Sequence, residues 1–108
     1  VEDIVKDNTR VLEAALDNLQ TQIAKLEDAL EHKPDYGLGE GDPAITRWEM
    51  NYALLERLRG RRERVQQALS RAEGGIYGLC VHCGNEIHPD RLAVLPDARL
   101  CIECARDS

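Results

Sequence analysis

The sequence predicts a mainly α fold: an antiparallel two-helix coiled-coil hairpin carrying a small C-terminal unit organised by cysteine. Three observations predict it. Apolar residues recur at alternating spacings of three and four along two long stretches. A segment rich in Gly and Pro separates those stretches. All four cysteines fall in the last 29 of the 108 residues. The chain has no Phe, one Trp and three Tyr, too few bulky side chains for a rounded core. At 43% hydrophobic it is also too apolar for plain disorder.

The first stretch is helical by period. Val5, Leu12, Leu19 and Leu26 recur every seven residues, and Thr9, Leu16, Ile23 and Leu30 form the interleaved set. This is the a/d seam of a coiled coil. Pro34 disfavours helical geometry at Lys33, which ends the helix near His32. The eleven residues 33–43 then hold three Gly and two Pro, a turn and not a continuing helix. Asp42-Pro43 reads as the next helix start: Asp accepts from the free N–H groups of the first turn, and Pro fits the first helical position.

The second stretch runs from Pro43 to about Ala72. Its seam is Trp48, Leu55 and Leu69 in one register and Leu58, Val65 and Ala72 in the other, interrupted by Asn51 and Arg62. Ile45, Met50, Tyr52 and Leu54 are expected to widen the stripe near the turn. Gly60, inside the run, costs about 1 kcal/mol relative to Ala and marks a close approach or a kink. Trp48 is read as a seam residue. A first arm of about 29 residues reaches ~43 Å at 1.5 Å per residue, a shape suited to entering a deep, narrow space and poor at enclosing a substrate.

Charge supports the pairing. Residues 1–42 hold 11 acids and 4 bases, residues 43–73 hold 4 acids and 7 bases, and residues 74–108 hold 5 acids and 3 bases. An acidic arm beside a basic arm favours the intramolecular hairpin over parallel dimers of each arm. The net charge of −6 argues against general affinity for duplex DNA or an anionic membrane. No stretch approaches the ~20 apolar residues of a membrane span, and no signal-peptide pattern opens the sequence, so a cytoplasmic protein is expected.

The tail reads Cys80-Val81-His82-Cys83, seventeen residues, then Cys101-Ile102-Glu103-Cys104. Two residues between thiolates let both sulfurs of a tight turn face one ion, and two such turns complete a tetrahedron. The expected metal is one structural Zn2+ bound by Cys80, Cys83, Cys101 and Cys104. Iron suits the same sulfur set, and paired disulfides lack the support of a secretory signal. His82 and His88 are nearby but surplus to four cysteines. Gly84 follows the first pair, where the turn calls for positive φ. Ile87, Leu92, Val94, Leu95 and Leu100 are expected to form a small apolar cluster on short strands beside the metal. The expected organisation is therefore a hairpin over 1–73, with its tip at about 34–43, and a zinc-binding domain over 74–108.

The residues Gly75-Ile76-Tyr77-Gly78-Leu79-Cys80, Cys83-Gly84, Ile87, Arg91-Leu92, Pro96, Cys101 and Cys104 closely resemble the zinc-finger signature of the DksA/TraR family of bacterial RNA polymerase regulators. The signature covers about a third of the chain, and the hairpin agrees with the family's architecture. The resemblance implies a protein that binds RNA polymerase directly and not promoter DNA. Its coiled coil would enter the secondary channel, and acidic tip residues would approach the active centre and alter open-complex stability. The zinc ribbon would hold the base of the hairpin and contact the channel rim.

The family's tip carries Asp-x-Ala with another Asp three residues earlier. Asp42-Pro43-Ala44 matches the first element, Gly39 stands where the earlier Asp would be, and Glu40 is close but out of register. Asp42, Ala44 and Glu40 are thus the polymerase-contacting tip that the resemblance implies, while Asp42 also has its own role as a helix cap. Some members act with the alarmone ppGpp, aided by a helix beyond the last cysteine. The four residues after Cys104 argue against such dependence here. The Arg residues at 57, 59, 61, 62 and 64 face an acidic channel rim in this reading, or else pair with the acidic first arm.

Other readings use the same residues differently. Glu40 and Asp42 would be a Mg2+-holding carboxylate pair in a Gre-type transcript-cleavage cofactor. A nucleic-acid-binding ribbon is disfavoured by the acidic tail. A coiled-coil adaptor of another partner fits the hairpin. The sequence offers no nucleophile–base pair, phosphate loop or open metal position, so an intrinsic enzyme is not expected.

Overall fold

A computed structural model describes residues 2–31 and 43–107, with side chains from residue 5 onward. Four helices follow one another: α1 (Glu2–Leu30), α2 (Pro43–Glu73), α3 (Pro89–Val94) and α4 (Ile102–Asp107). Among the described residues the extended backbone amounts to one isolated antiparallel bridge, Leu79 to Glu86. No helix of these residues is long and apolar enough to cross a membrane. The expected turn at 34–43 lies outside them except for Pro43.

The chain forms two compact units, Val1–Leu16 with Glu63–Ser108, and Asp17–Arg62. The helices pair antiparallel: the start of α1 shares a unit with the end of α2, and the end of α1 shares one with the start of α2. In the first unit Leu12, Val65 and Ala68 are buried, and in the second Leu19, Ile23 and Leu55. Each buried Leu, Ile or Val contributes about 1.5–3 kcal/mol relative to an exposed one. The remaining predicted seam residues of both arms are half-buried. Within the second unit, Arg59 of α2 meets Glu27 of α1 at 2.9 Å and Glu56 at 3.3 Å, the acidic-to-basic pairing expected from composition.

The widened stripe near the turn is only partly found. Ile45 is half-buried, but Met50, Tyr52 and Leu54 are exposed. A two-helix hairpin covers one stripe of α2, and Leu55 occupies it. Met50, five residues earlier, is turned about 140° away at 3.6 residues per turn. Tyr52 stacks on Trp48, ring centroids 5.6 Å apart, and Trp48 is half-buried, consistent with a seam position. The helix α2 runs unbroken through Gly60.

Two features escaped the period. Ala68 is fully buried although it lies one residue from the predicted seam position Leu69. Asn8 is a buried polar residue, three positions after Val5 and four before Leu12. Its Nδ2 donates to the Tyr77 hydroxyl at 2.8 Å and to the Leu92 carbonyl at 3.2 Å. Thr9, in the seam, satisfies its hydroxyl on the Val5 carbonyl at 2.7 Å.

Candidate metal centre

The segment after α2 folds as two turns facing each other. Cys80 N–H donates to the Asn85 carbonyl at 2.8 Å and Gly84 N–H to the Cys80 carbonyl at 3.0 Å. These bonds close the first Cys-x2-Cys turn, and Gly84 takes φ 79° there, as its position required. Ile87 N–H donates to the Gly78 carbonyl at 2.7 Å, and Gly78 supplies a second positive φ, 86°. Val81 N–H reaches the Arg99 carbonyl at 2.9 Å and so ties the first turn to the chain entering the second. The second pair opens α4, where Ala105 N–H donates to the Cys101 carbonyl at 2.9 Å.

The Sγ atoms of Cys80, Cys83, Cys101 and Cys104 all lie within 4.8 Å of one another. Tetrahedral zinc–sulfur bonds of about 2.3 Å place sulfurs about 3.8 Å apart. The Cys83–Cys101 separation is 3.7 Å. The donor set therefore fits zinc, and these four cysteines would hold it. A bound zinc closes the two turns into one unit and leaves no coordination position open for catalysis. Neither histidine belongs to the cluster. His88 Nδ1 instead accepts from Asp90 N–H at 3.1 Å and caps α3.

The thiols are electrostatically unequal. Backbone N–H groups of Cys83, Cys101 and His82 aimed at the Cys80 sulfur bring it down to about 5. At Cys83 the Asn85 N–H pulls downward, but burial and the Cys80 and Cys101 thiols raise it overall. Cys104 is raised well above the thiol range, first by its hydrogen bond with Cys101 and then by burial.

The apolar cluster differs from the expected one. Cys80, Ile87 and Leu92 are its buried members, with Tyr77, Ala98, Leu100, Cys101 and Cys104 packed against them. Val94 and Leu95 are exposed. The expected strands are replaced by α3 and α4. The signal for α3 was present: Pro89 stands at a first helical position, with His88 before it as cap. A six-residue helix turns Leu92 inward and Val94 and Leu95 outward, where alternating strands would have divided them otherwise.

The unit is fastened to the helices by polar contacts. The Tyr77 hydroxyl donates to the Pro96 carbonyl at 2.7 Å while accepting from Asn8. Arg64 lies 3.7 Å from Asp97, and Arg71 reaches the Ala98 carbonyl at 3.5 Å. Arg64 of α2 thus pairs with the cysteine-bearing segment and not with the acidic arm. Of the predicted tip, Glu40 and Asp42 lie outside the described residues, and Ala44 is exposed in the first turn of α2.

Residues 75–108 match the prokaryotic dksA/traR C4-type zinc finger. The RNA polymerase-binding transcription factor DksA of Escherichia coli K12 is 31% identical over 100 residues, 88% of this chain and 64% of that protein. A protein of Aquifex aeolicus is 28% identical over 110 residues, 96% of this chain and 70% of its own length. The chain thus spans about two thirds of the length of the relatives it matches. The solved structure of transcription factor DksA2 from Pseudomonas aeruginosa superposes with a TM-score of 0.78 at 29% identity, covering 98% of this chain and 83% of that one. A four-thiolate cluster of zinc geometry, inside a matched C4 finger and behind an antiparallel helical pair, places the chain in the DksA/TraR-type zinc-finger family, with a structural zinc ion as its cofactor.

Proposed function

We propose that this chain is a bacterial transcription regulator that works by binding RNA polymerase in the cytoplasm. The hairpin, residues 1–73, enters the secondary channel, and the acidic tip bearing Glu40, Asp42 and Ala44 approaches the active centre and modulates initiation. The zinc-binding domain, residues 74–108, anchors the hairpin base. The protein acts through protein contact, without sequence-specific DNA binding and without catalysis of its own.

The observation that carries this reading is the extent of the likeness. Similarity to a polymerase-binding factor runs over 88% of the chain, so it includes both helical arms as well as the finger. A C4 finger alone would suit many partners. A finger joined to this hairpin suits far fewer.

The test is binding to bacterial core RNA polymerase, followed by promoter transcription with wild type and Asp42→Ala. Micromolar or tighter binding is expected, with regulation weakened in the variant at unchanged zinc content and helicity. Absence of binding at micromolar concentrations overturns the function. Full regulation by a folded Asp42→Ala protein removes the tip assignment.

A further inference from the structure

The two cysteine turns are supported differently. The first closes on itself, through backbone bonds from Cys80 to Asn85, Gly84 to Cys80 and Ile87 to Gly78. The second is placed from outside, through the five residues that lead into Cys101. The Pro96 carbonyl accepts from the Tyr77 hydroxyl at 2.7 Å, and the Asp97 carboxylate meets Arg64 at 3.7 Å. The Ala98 carbonyl accepts from Arg71 at 3.5 Å and the Arg99 carbonyl from Val81 N–H at 2.9 Å. The Leu100 carbonyl accepts from Arg91 Nε at 3.1 Å. Five consecutive residues thus have five separate partners, and three of those partners are arginines of α2 and α3.

This strap bears on the metal through its two ends. The Leu100 carbonyl belongs to the planar peptide group that ends at Cys101, so the Arg91 bond fixes the plane from which the Cys101 side chain leaves. Arg91 itself stands on α3, which His88 caps and Leu92 anchors in the core. At the other end, the Asp97 side chain is 11% exposed and that of Arg64 is 54% exposed. A carboxylate so far buried keeps its place by being paired; deprived of Arg64 it gains by turning out to water and drawing the strap with it. Burial does not retain the ion, because Cys83 is exposed and Cys101 and Cys104 are half-buried. Retention therefore depends on the sulfurs staying in register, and groups behind the ligands control that.

We propose that Arg91 and Arg64 are positioning residues of the metal centre. Arg91 acts through the Leu100 carbonyl and Arg64 through the Asp97 carboxylate. Both set how tightly zinc is held, although neither belongs to the thiolate cluster and Arg64 lies 37 positions before Cys101 in the sequence. This role concerns the metal alone and needs no polymerase contact.

The experiment uses the full chain and two metals. Zinc affinity is measured by chelator competition, and Co2+ in place of zinc reports the geometry of the four sulfurs through its absorption bands. Arg91→Met is expected to lower zinc affinity about 10–100-fold and to alter the Co2+ bands at saturation. Arg91→Lys, which keeps a donor and the charge, is expected to restore most of the affinity. Arg64→Gln, at a half-exposed side chain that folding tolerates, is expected to lose at least about fivefold. Added to Asp97→Asn it should cost nothing further, because it acts through that carboxylate. Arg61→Gln makes the same charge change at an exposed position of α2 in the other unit, and zinc affinity should not move. Helicity of each loaded protein is checked alongside. Wild-type affinity and Co2+ bands in Arg91→Met overturn the role of Arg91. Additive losses in the Arg64 and Asp97 pair, or an equal loss in Arg61→Gln, overturn that of Arg64.

Discussion

Asn8 and Tyr77, 69 positions apart, share a hydrogen bond of 2.8 Å that joins the first helix to the cysteine-bearing unit. The same Asn8 amide donates to the Leu92 carbonyl, and the Tyr77 hydroxyl passes its own proton to the Pro96 carbonyl. Two side chains thus satisfy two backbone acceptors on either side of Leu95. Asn8→Ala strips partners from a buried carbonyl and from the phenol, and it is expected to destabilise by about 1–3 kcal/mol. Tyr77→Phe leaves the Asn8 amide and the Pro96 carbonyl short of a partner, at a similar cost. Because the two act as one network, the double variant should lose less than the sum of the singles. Denaturant unfolding of the zinc-saturated proteins checks this. Strict additivity would mean that the bond does not hold the two elements together.

Tyr77 also predicts an alkaline limit. Burial lifts its phenol above the ordinary range, although the Asn8 hydrogen bond and the Arg71 charge pull it back. A folded value above the unfolded one favours the protonated form in the native state. The associated stability is fully present below about pH 10 and is lost as pH rises through the folded value. Wild type should therefore lose stability more steeply above about pH 10 than Tyr77→Phe does. Absorbance at the phenolate band, followed in both proteins, should show one late-titrating tyrosine that the variant lacks.

Much of this was legible because two periods and one spacing are simple. Leu12, Leu19, Ile23, Leu55 and Val65 recur as a coiled coil requires, and all five are buried. The paired Cys-x2-Cys turns announce a metal, because few other arrangements bring four thiolates together. Asn8 was not legible: a polar side chain at seam spacing is indistinguishable in sequence from a surface one until its partners, Tyr77 and Leu92, are brought to it by the fold. The stretch around Leu92 was misread because aliphatics in a metal-nucleated loop have no period long enough to separate a strand from a six-residue helix. Met50 and Leu54 stand beside the heptad seam, where they were expected to widen it, but they lie on a face that a two-helix hairpin leaves uncovered.

That last point gives a direct test of register. Leu55→Ala removes a side chain that is 3% exposed, and a loss of about 2–5 kcal/mol is expected. Met50→Ala removes one that is 68% exposed, and a change within about 0.5 kcal/mol is expected. Thermal or denaturant unfolding separates them. Equal losses at the two positions would mean that α2 presents a broader face to its partner helix than the hairpin describes.

The unequal thiols make zinc uptake a proton-releasing reaction with a definite sign. Around neutral pH the Cys80 sulfur, down at about 5, is already ionised. Cys83 and Cys104, both raised above the ordinary thiol value, still carry their protons. Zinc binds thiolates, so loading the metal-free protein must expel at least those two protons. A release of at least two protons makes the apparent affinity fall at least about a hundredfold for each unit of pH decrease near neutrality. Titration calorimetry in buffers of different ionisation enthalpy measures the number released, and zinc competition across pH 6–8 measures the slope. Cys104→Ser should lower both the proton count and the affinity, whereas a substitution at His82 should leave both unchanged, because the histidine lies outside the thiolate cluster. Zinc binding without proton release would mean that the cysteines are not paired as their sulfur positions indicate. Loss of the ion on His82→Ala would mean that the fourth ligand is nitrogen.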